Sequence, residues 1–111
     1  MSITKSVSIV VICLGFVLAF GKSAFLKDFE TTYGVKKTTV LGKARCATCH
    51  LAVPKLNPYG LDIQKAMARE KTTTLTGSVL KKVEGMDSDK DGKTNLQEIR
   101  AGTLPGDAKS K

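Results

Sequence analysis

The chain has 111 residues and a mass of 11.9 kDa, which leaves room for one small domain and excludes multidomain enzymes and polytopic membrane proteins. Its 18 Lys and Arg residues outnumber its 10 Asp and Glu residues, so the formal net charge is +8 and an acidic tail is excluded. Trp is absent and aromatic residues reach only 5%, so few large side chains are available for a core.

The first 21 residues have the pattern of a secretory signal peptide. Lys5 supplies a positive charge ahead of an apolar run from Val7 to Phe20, and Gly21 ends a small-residue cleavage pattern. A bilayer-spanning helix needs about 20 apolar residues, more than this run provides. We therefore expect cleavage after Gly21, with residues 22–111 periplasmic or secreted and not stably inserted in a membrane. An uncleaved N-terminal anchor is the alternative.

The rest of the chain predicts an all-α fold of four short helices. Asn57 and Pro58 are a good cap and first residue for the second helix, which should run to about Glu70. No alternating strand pattern of useful length is present, and residues 35–45 predict a loop. The four helices are marked by apolar residues at helical spacing in the segments 25–33, 59–67, 79–83 and 96–99.

Cys46-Ala47-Thr48-Cys49-His50 has the C-x-x-C-H pattern of covalent haem attachment. On one helical turn, two thiols three residues apart can each add to a haem vinyl group, and the adjacent imidazole can ligate the iron. A redox dithiol, a zinc site and a structural disulfide are the alternatives. No strand precedes Cys46, and residues 22–111 contain no further Cys or His to complete a zinc tetrahedron. A disulfide between Cys46 and Cys49 would close so short a ring that it adds little stability.

With a helix containing Phe and Tyr before this motif and two helices after it, residues 25–86 resemble a small, exported, bacterial monohaem cytochrome c. The resemblance implies a helical domain, residues 22–111, around one covalent haem c. It implies that Cys46 and Cys49 form the thioethers and that His50 is the proximal iron ligand. The implied activity is electron transfer between larger redox proteins, without enzyme catalysis.

The sequence offers two candidates for the second axial ligand of the haem iron. The resemblance implies a distal Met well downstream of the His, and Met86, after Gly85, is the first candidate. Met67 is the alternative, although a Met on an apolar helical stripe is more often part of the core. An open distal position would instead indicate a haem-based gas-binding or sensor protein.

Residues 87–98 match the calcium-loop pattern D-x-[DN]-x-[DN]-G-x₅-E at every fixed position. Calcium takes about six to eight oxygen ligands, and four of the ten acidic residues fall in this short segment. We expect a structural calcium ion that fixes the C-terminal segment. A metal-free turn that caps a helix, or a calcium-dependent interaction module, is the alternative. The predicted ligands are the side chains of Asp87, Asp89, Asp91 and Glu98, the backbone carbonyl of Lys93, and Asn95, either directly or through a water molecule.

The remaining basic residues are scattered along the chain. No aromatic residues are interleaved with them in the manner that stacks nucleobases, so nucleic acid is not an expected partner. The basic surface either is a solvated face or steers encounters with the acidic docking surface of a redox partner.

Overall fold

The computed structural model describes residues 24–111, and within them the chain is helical. The one β feature of these residues is an isolated antiparallel bridge between His50 and Leu56. The prediction of an all-α fold is therefore confirmed, whereas the predicted signal peptide, residues 1–21, lies outside the described residues. The elements are α1 at 24–33, α2 at Val40–Ala44, a 3-10 helix at Arg45–Thr48, α3 at Pro58–Arg69, α4 at Gly77–Val83 and α5 at Asn95–Ala101.

Side-chain caps mark where α3, α4 and α5 begin. Asn57 accepts a hydrogen bond from the Gly60 N–H at the start of α3, as its sequence position predicts. Thr76 caps α4 in the same way. At α5, Thr94 and Gln97 form a reciprocal capping box, which satisfies two N–H groups that the helix itself cannot pair.

A short helix, α2, lies where the sequence predicts a loop, so the prediction of a loop over 35–45 is wrong in part. Thr39 caps α2 by accepting from the Gly42 N–H at 3.0 Å. Leu41 is buried, and its N–H donates to the carbonyl of Gly102 at the end of α5. Five residues are too few to show a helical period, and contacts with distant residues stabilise this helix.

The core forms where the helices meet. Phe29 of α1 packs edge-to-face on Tyr59 of α3, with ring centroids 6.1 Å apart, and on Tyr33 at 5.2 Å. Ten apolar residues of the described chain are buried, and each of the four predicted helices contributes at least one of them. They are Phe29, Leu41, Tyr59, Ile63, Ala66, Leu75, Val79, Leu80, Val83 and Ile99.

Candidate functional site

The C-x-x-C-H segment forms one tight turn on the 3-10 helix. The carbonyl of Cys46 accepts hydrogen bonds from the N–H groups of Cys49, at 3.2 Å, and His50, at 3.0 Å. Arg45, immediately before the turn, has a φ of 51° in the left-handed region. Such a conformation costs a residue with a side chain about 1–3 kcal/mol, so backbone strain is located next to the first cysteine.

The two cysteines of this turn are not joined to each other. Cys46 is exposed, whereas Cys49 is partly buried and packs against the core. Burial, with a smaller contribution from Cys46, raises the pKa of the Cys49 thiol to about 12. Neither sulfur atom forms a bond within the protein, so both thiols are free.

The imidazole of His50 also lacks a protein partner. Its Nδ1 atom is buried, and no residue among 24–111 forms a hydrogen bond with it. The residues that follow present apolar surface, since Leu51 is 63% exposed and Val53 is 59% exposed. The donor set that fits a covalently attached haem consists of the two free sulfur atoms and the adjacent imidazole, and exposed apolar side chains lie next to it.

The first turn of α3 packs directly on the back of the C-x-x-C-H turn. Asn57 donates from its backbone N–H to Cys49 O at 2.8 Å. Its side-chain Nδ2 donates to the carbonyls of Ala47 and Thr48, each at 3.0 Å. A Cβ on Gly60 would collide with the carbonyl oxygen of Cys49, so only glycine allows this approach. Sequence reasoning identified Asn57 as a helix cap and missed its contacts with the motif.

The two methionines considered for the distal position lie in different environments. Met67 packs against the core, in agreement with its position on the apolar stripe of α3. Met86 is 41% exposed and lines a surface concavity of about 480 Å³ together with Pro58 and Leu61. Pro58 directly follows Asn57, so this concavity adjoins the helix end that contacts the cysteine turn.

The acidic loop has the compact geometry of a cation-binding segment. Asp87, Asp89 and Asp91 each place one carboxylate oxygen within 4.8 Å of the other two. Asp87 accepts from the N–H groups of Asp91, at 3.2 Å, and Gly92, at 2.8 Å. Gly92 has a φ of 93°, and the Lys93 N–H donates to Asp91 at 2.9 Å, which closes the turn.

Glu98, in the first turn of α5, gives the strongest indication that the acidic loop binds a cation. The residue is 1% exposed, and neither carboxylate oxygen has a hydrogen-bond partner among residues 24–111. Both oxygens of Asp89 are likewise buried and unpartnered. Burial, reinforced by the Asp91 and Asp89 carboxylates, raises the pKa of Glu98 to about 8. Buried anions without partners are costly, and a divalent cation with oxygen ligands would relieve that cost, so these residues fit calcium.

Asn95 differs from the other predicted ligands, because its side chain is used within the protein. Its Oδ1 accepts from the Ser88 N–H at 3.2 Å, and its Nδ2 donates to Val83 O and Ser88 Oγ, each at 2.8 Å. Asn95 therefore braces the end of α4 against the loop, and its place at the ninth position of the loop stays a prediction. Ser88 in turn donates to Asp62 of α3 at 2.6 Å, a contact that sequence reasoning missed.

Comparison with protein-family models, curated proteins and solved structures returned no match for this chain. None of the helices formed by residues 24–111 is both long enough and apolar enough to cross a bilayer.

Proposed function

We propose that this chain is an exported electron-transfer protein that carries one covalently attached haem c and one structural calcium ion. The observation that carries the proposal is the turn at residues 46–50, where two uncommitted cysteines and the chain's single histidine lie together. The position of His50, directly after the second cysteine, supports the same assignment, since it places an imidazole next to both sulfur atoms.

Each residue of the turn has a defined role in this proposal. Cys46 and Cys49 hold the haem through their sulfur atoms, and His50 is the proximal ligand. Met86 is the proposed distal ligand, because its side chain is part of a concavity beside the helix that contacts the turn and the residue is partly exposed, whereas Met67 packs against the core. When bound, the haem supplies a one-electron redox couple at its iron.

The charge distribution supports a redox partner with an acidic docking surface. The 31 residues between Glu30 and Asp62 contain no acidic residue, and this segment includes the cysteine turn. Its basic residues are all exposed, so the proposed redox site lies in a uniformly positive stretch of chain. Such a field accelerates encounter with an acidic protein and weakens as salt is added. The basic residues are Lys36, Lys37, Lys43, Arg45 and Lys55.

Calcium has a structural role in this proposal. Bound by Asp87, Asp89, Asp91 and Glu98, the ion neutralises a cluster of buried and crowded carboxylates at the entry to α5. The backbone carbonyl of Lys93 is the further ligand expected from the loop pattern. The ion thereby stabilises the C-terminal segment and the loop that follows Met86.

Spectroelectrochemistry of the protein from an export-competent host tests this function. We expect a reversible one-electron haem couple, with a methionine charge-transfer band that Met86→Ala removes while lowering the potential. Met67→Leu, which conserves core volume, is the matched control and should leave both unchanged. A protein without a haem spectrum overturns the proposal. A haem that binds carbon monoxide equally well before and after Met86→Ala has an open distal position and indicates the gas-binding alternative instead.

A further inference from the structure

The carbonyl groups of three consecutive motif residues all accept hydrogen bonds from one residue. Asn57 binds Ala47 O and Thr48 O through Nδ2 and Cys49 O through its backbone N–H. A turn that ends after one revolution leaves its last carbonyls without partners in the turn itself. Thr48 is only 1% exposed, so water is a poor substitute there. The orientation of the cysteine turn therefore depends on a side chain seven or more residues downstream.

Asn57 can orient the cysteine turn because its own position is fixed by contacts with α3 and with the C-terminal segment. Its Oδ1 accepts from the Gly60 N–H at 2.9 Å, and its carbonyl accepts from the Leu61 N–H at 2.9 Å, which ties it to α3. Gly106 of the C-terminal segment packs on the side-chain amide so closely that a Cβ there would collide with it. Asn57 is 2% exposed, and each of its polar groups has a partner.

We infer that Asn57 is a positioning residue for the cofactor-attachment turn: it sets the direction in which Cys46, Cys49 and His50 project from residues 46–50. The role of Asn57 in haem attachment rests on the proposed function. The amide is suited to the role, since one side chain must both accept, to cap α3, and donate twice, to the turn. An aspartate could perform only the first of these tasks.

Asn57→Asp separates the two tasks, because it keeps the capping oxygen and replaces the two donated hydrogen bonds with an acceptor facing two carbonyls. Thr76→Ala is the matched control, since it removes the cap of α4 and leaves Asn57 untouched. Gly106→Ala is the second variant, and it displaces the amide of Asn57 without changing any polar group. Each variant is compared with the wild type at denaturant concentrations that give both proteins the same free energy of unfolding.

The first measurement is the alkylation rate of Cys49 relative to Cys46 in haem-free folded protein. We expect Asn57→Asp to raise this ratio about tenfold, the factor that corresponds to about one lost hydrogen bond, and Gly106→Ala to raise it in the same direction. Thr76→Ala should leave it unchanged. An equal change in Asn57→Asp and Thr76→Ala would make Asn57 a general stabiliser only and would overturn the inference, as would an unchanged ratio in both Asn57→Asp and Gly106→Ala.

The second measurement uses the exported protein, where Asn57→Asp should lower the fraction carrying covalent haem and shift the reduction potential of the remainder, whereas Thr76→Ala should change neither. Equal effects of the two variants would count against the inference. A wild-type protein without haem would refute the proposed function, and the alkylation ratio would still decide the role of Asn57.

Discussion

Ser88, in the acidic loop, donates a 2.6 Å hydrogen bond from its hydroxyl to the carboxylate of Asp62 in α3. Asp62 lies five residues after Asn57, or about 7.5 Å along the helix axis. A single helix therefore contacts the proposed calcium loop through Asp62 and the proposed haem-attachment turn through Asn57. The two candidate sites, which are separate motifs in the sequence, are parts of one packed unit.

Removal of the Ser88 hydroxyl should destabilise the protein by about 1–3 kcal/mol. Ser88→Ala deletes the bond to Asp62 and leaves the buried Nδ2 of Asn95 with one acceptor fewer. Urea denaturation with and without calcium measures the effect. Ser78→Ala is the matched control, because Ser78 donates to Glu70 at the same 2.6 Å distance but on the exposed surface, and it should cost less than about 0.5 kcal/mol. Equal losses in the two variants would contradict this prediction.

Calcium should stabilise the wild-type protein and not the Glu98→Gln variant. At a hundredfold excess over its dissociation constant, a ligand specific for the folded state adds about 2.7 kcal/mol. Without calcium, Glu98→Gln should be more stable than wild type, because it removes a buried carboxylate that lacks a partner. Thermal unfolding in calcium and in chelator gives both comparisons, and Asp28→Asn, at an exposed position of α1, is the control. A calcium response that survives Glu98→Gln would exclude Glu98 as a ligand.

The raised acid pKa values predict how the stability of the calcium-free protein depends on pH. The pKa of Glu98 rises from its ordinary value of 4.5 to about 8, and that of Asp89 rises from 3.8 to about 6, mainly because of burial. An acid whose pKa is higher in the folded chain binds more protons when folded. The free energy of unfolding should therefore fall as pH rises between about 4 and about 8.

Calcium should counteract this decline, because it binds the deprotonated carboxylates and its stabilising effect therefore grows with pH. Denaturation curves across the interval, in chelator and in calcium, measure both slopes. In calcium-free protein, Glu98→Gln should reduce the loss of stability at the upper end of this pH interval. A calcium-free protein that gains stability over this range would contradict the prediction.

Features carried by local pattern could be predicted from the sequence. The apolar spacing predicted α1, α3, α4 and α5, and the Asn57-Pro58 pair predicted the start of α3. In contrast, α2 depends on the bond from Leu41 to Gly102, some 60 residues away in the chain, and no local signal indicates it. The predicted helices have seven residues or more, whereas α2 has five, too few for a helical period, and tertiary contacts stabilise it.

The same distinction applies to the candidate site. The sequence indicates which ligands the two candidate sites bind, since only a few ligand sets have the spacing of Cys46, Cys49 and His50 or that of the acidic loop. The contacts that hold these residues in place cannot be predicted from the spacing of the motifs. The loop pattern assigns Asn95 to a ligand position, but its amide is engaged by Ser88 and Val83, which only the packed structure reveals.

The intact mass of the exported protein tests the central claim most directly. The proposal predicts one species of residues 22–111 with the added mass of a single haem that acidified organic solvent does not extract. Cys46→Ala combined with Cys49→Ala should abolish the covalent adduct. A wild-type protein with the mass of the polypeptide alone, whether its two thiols titrate as free or are lost to a disulfide, would contradict the account.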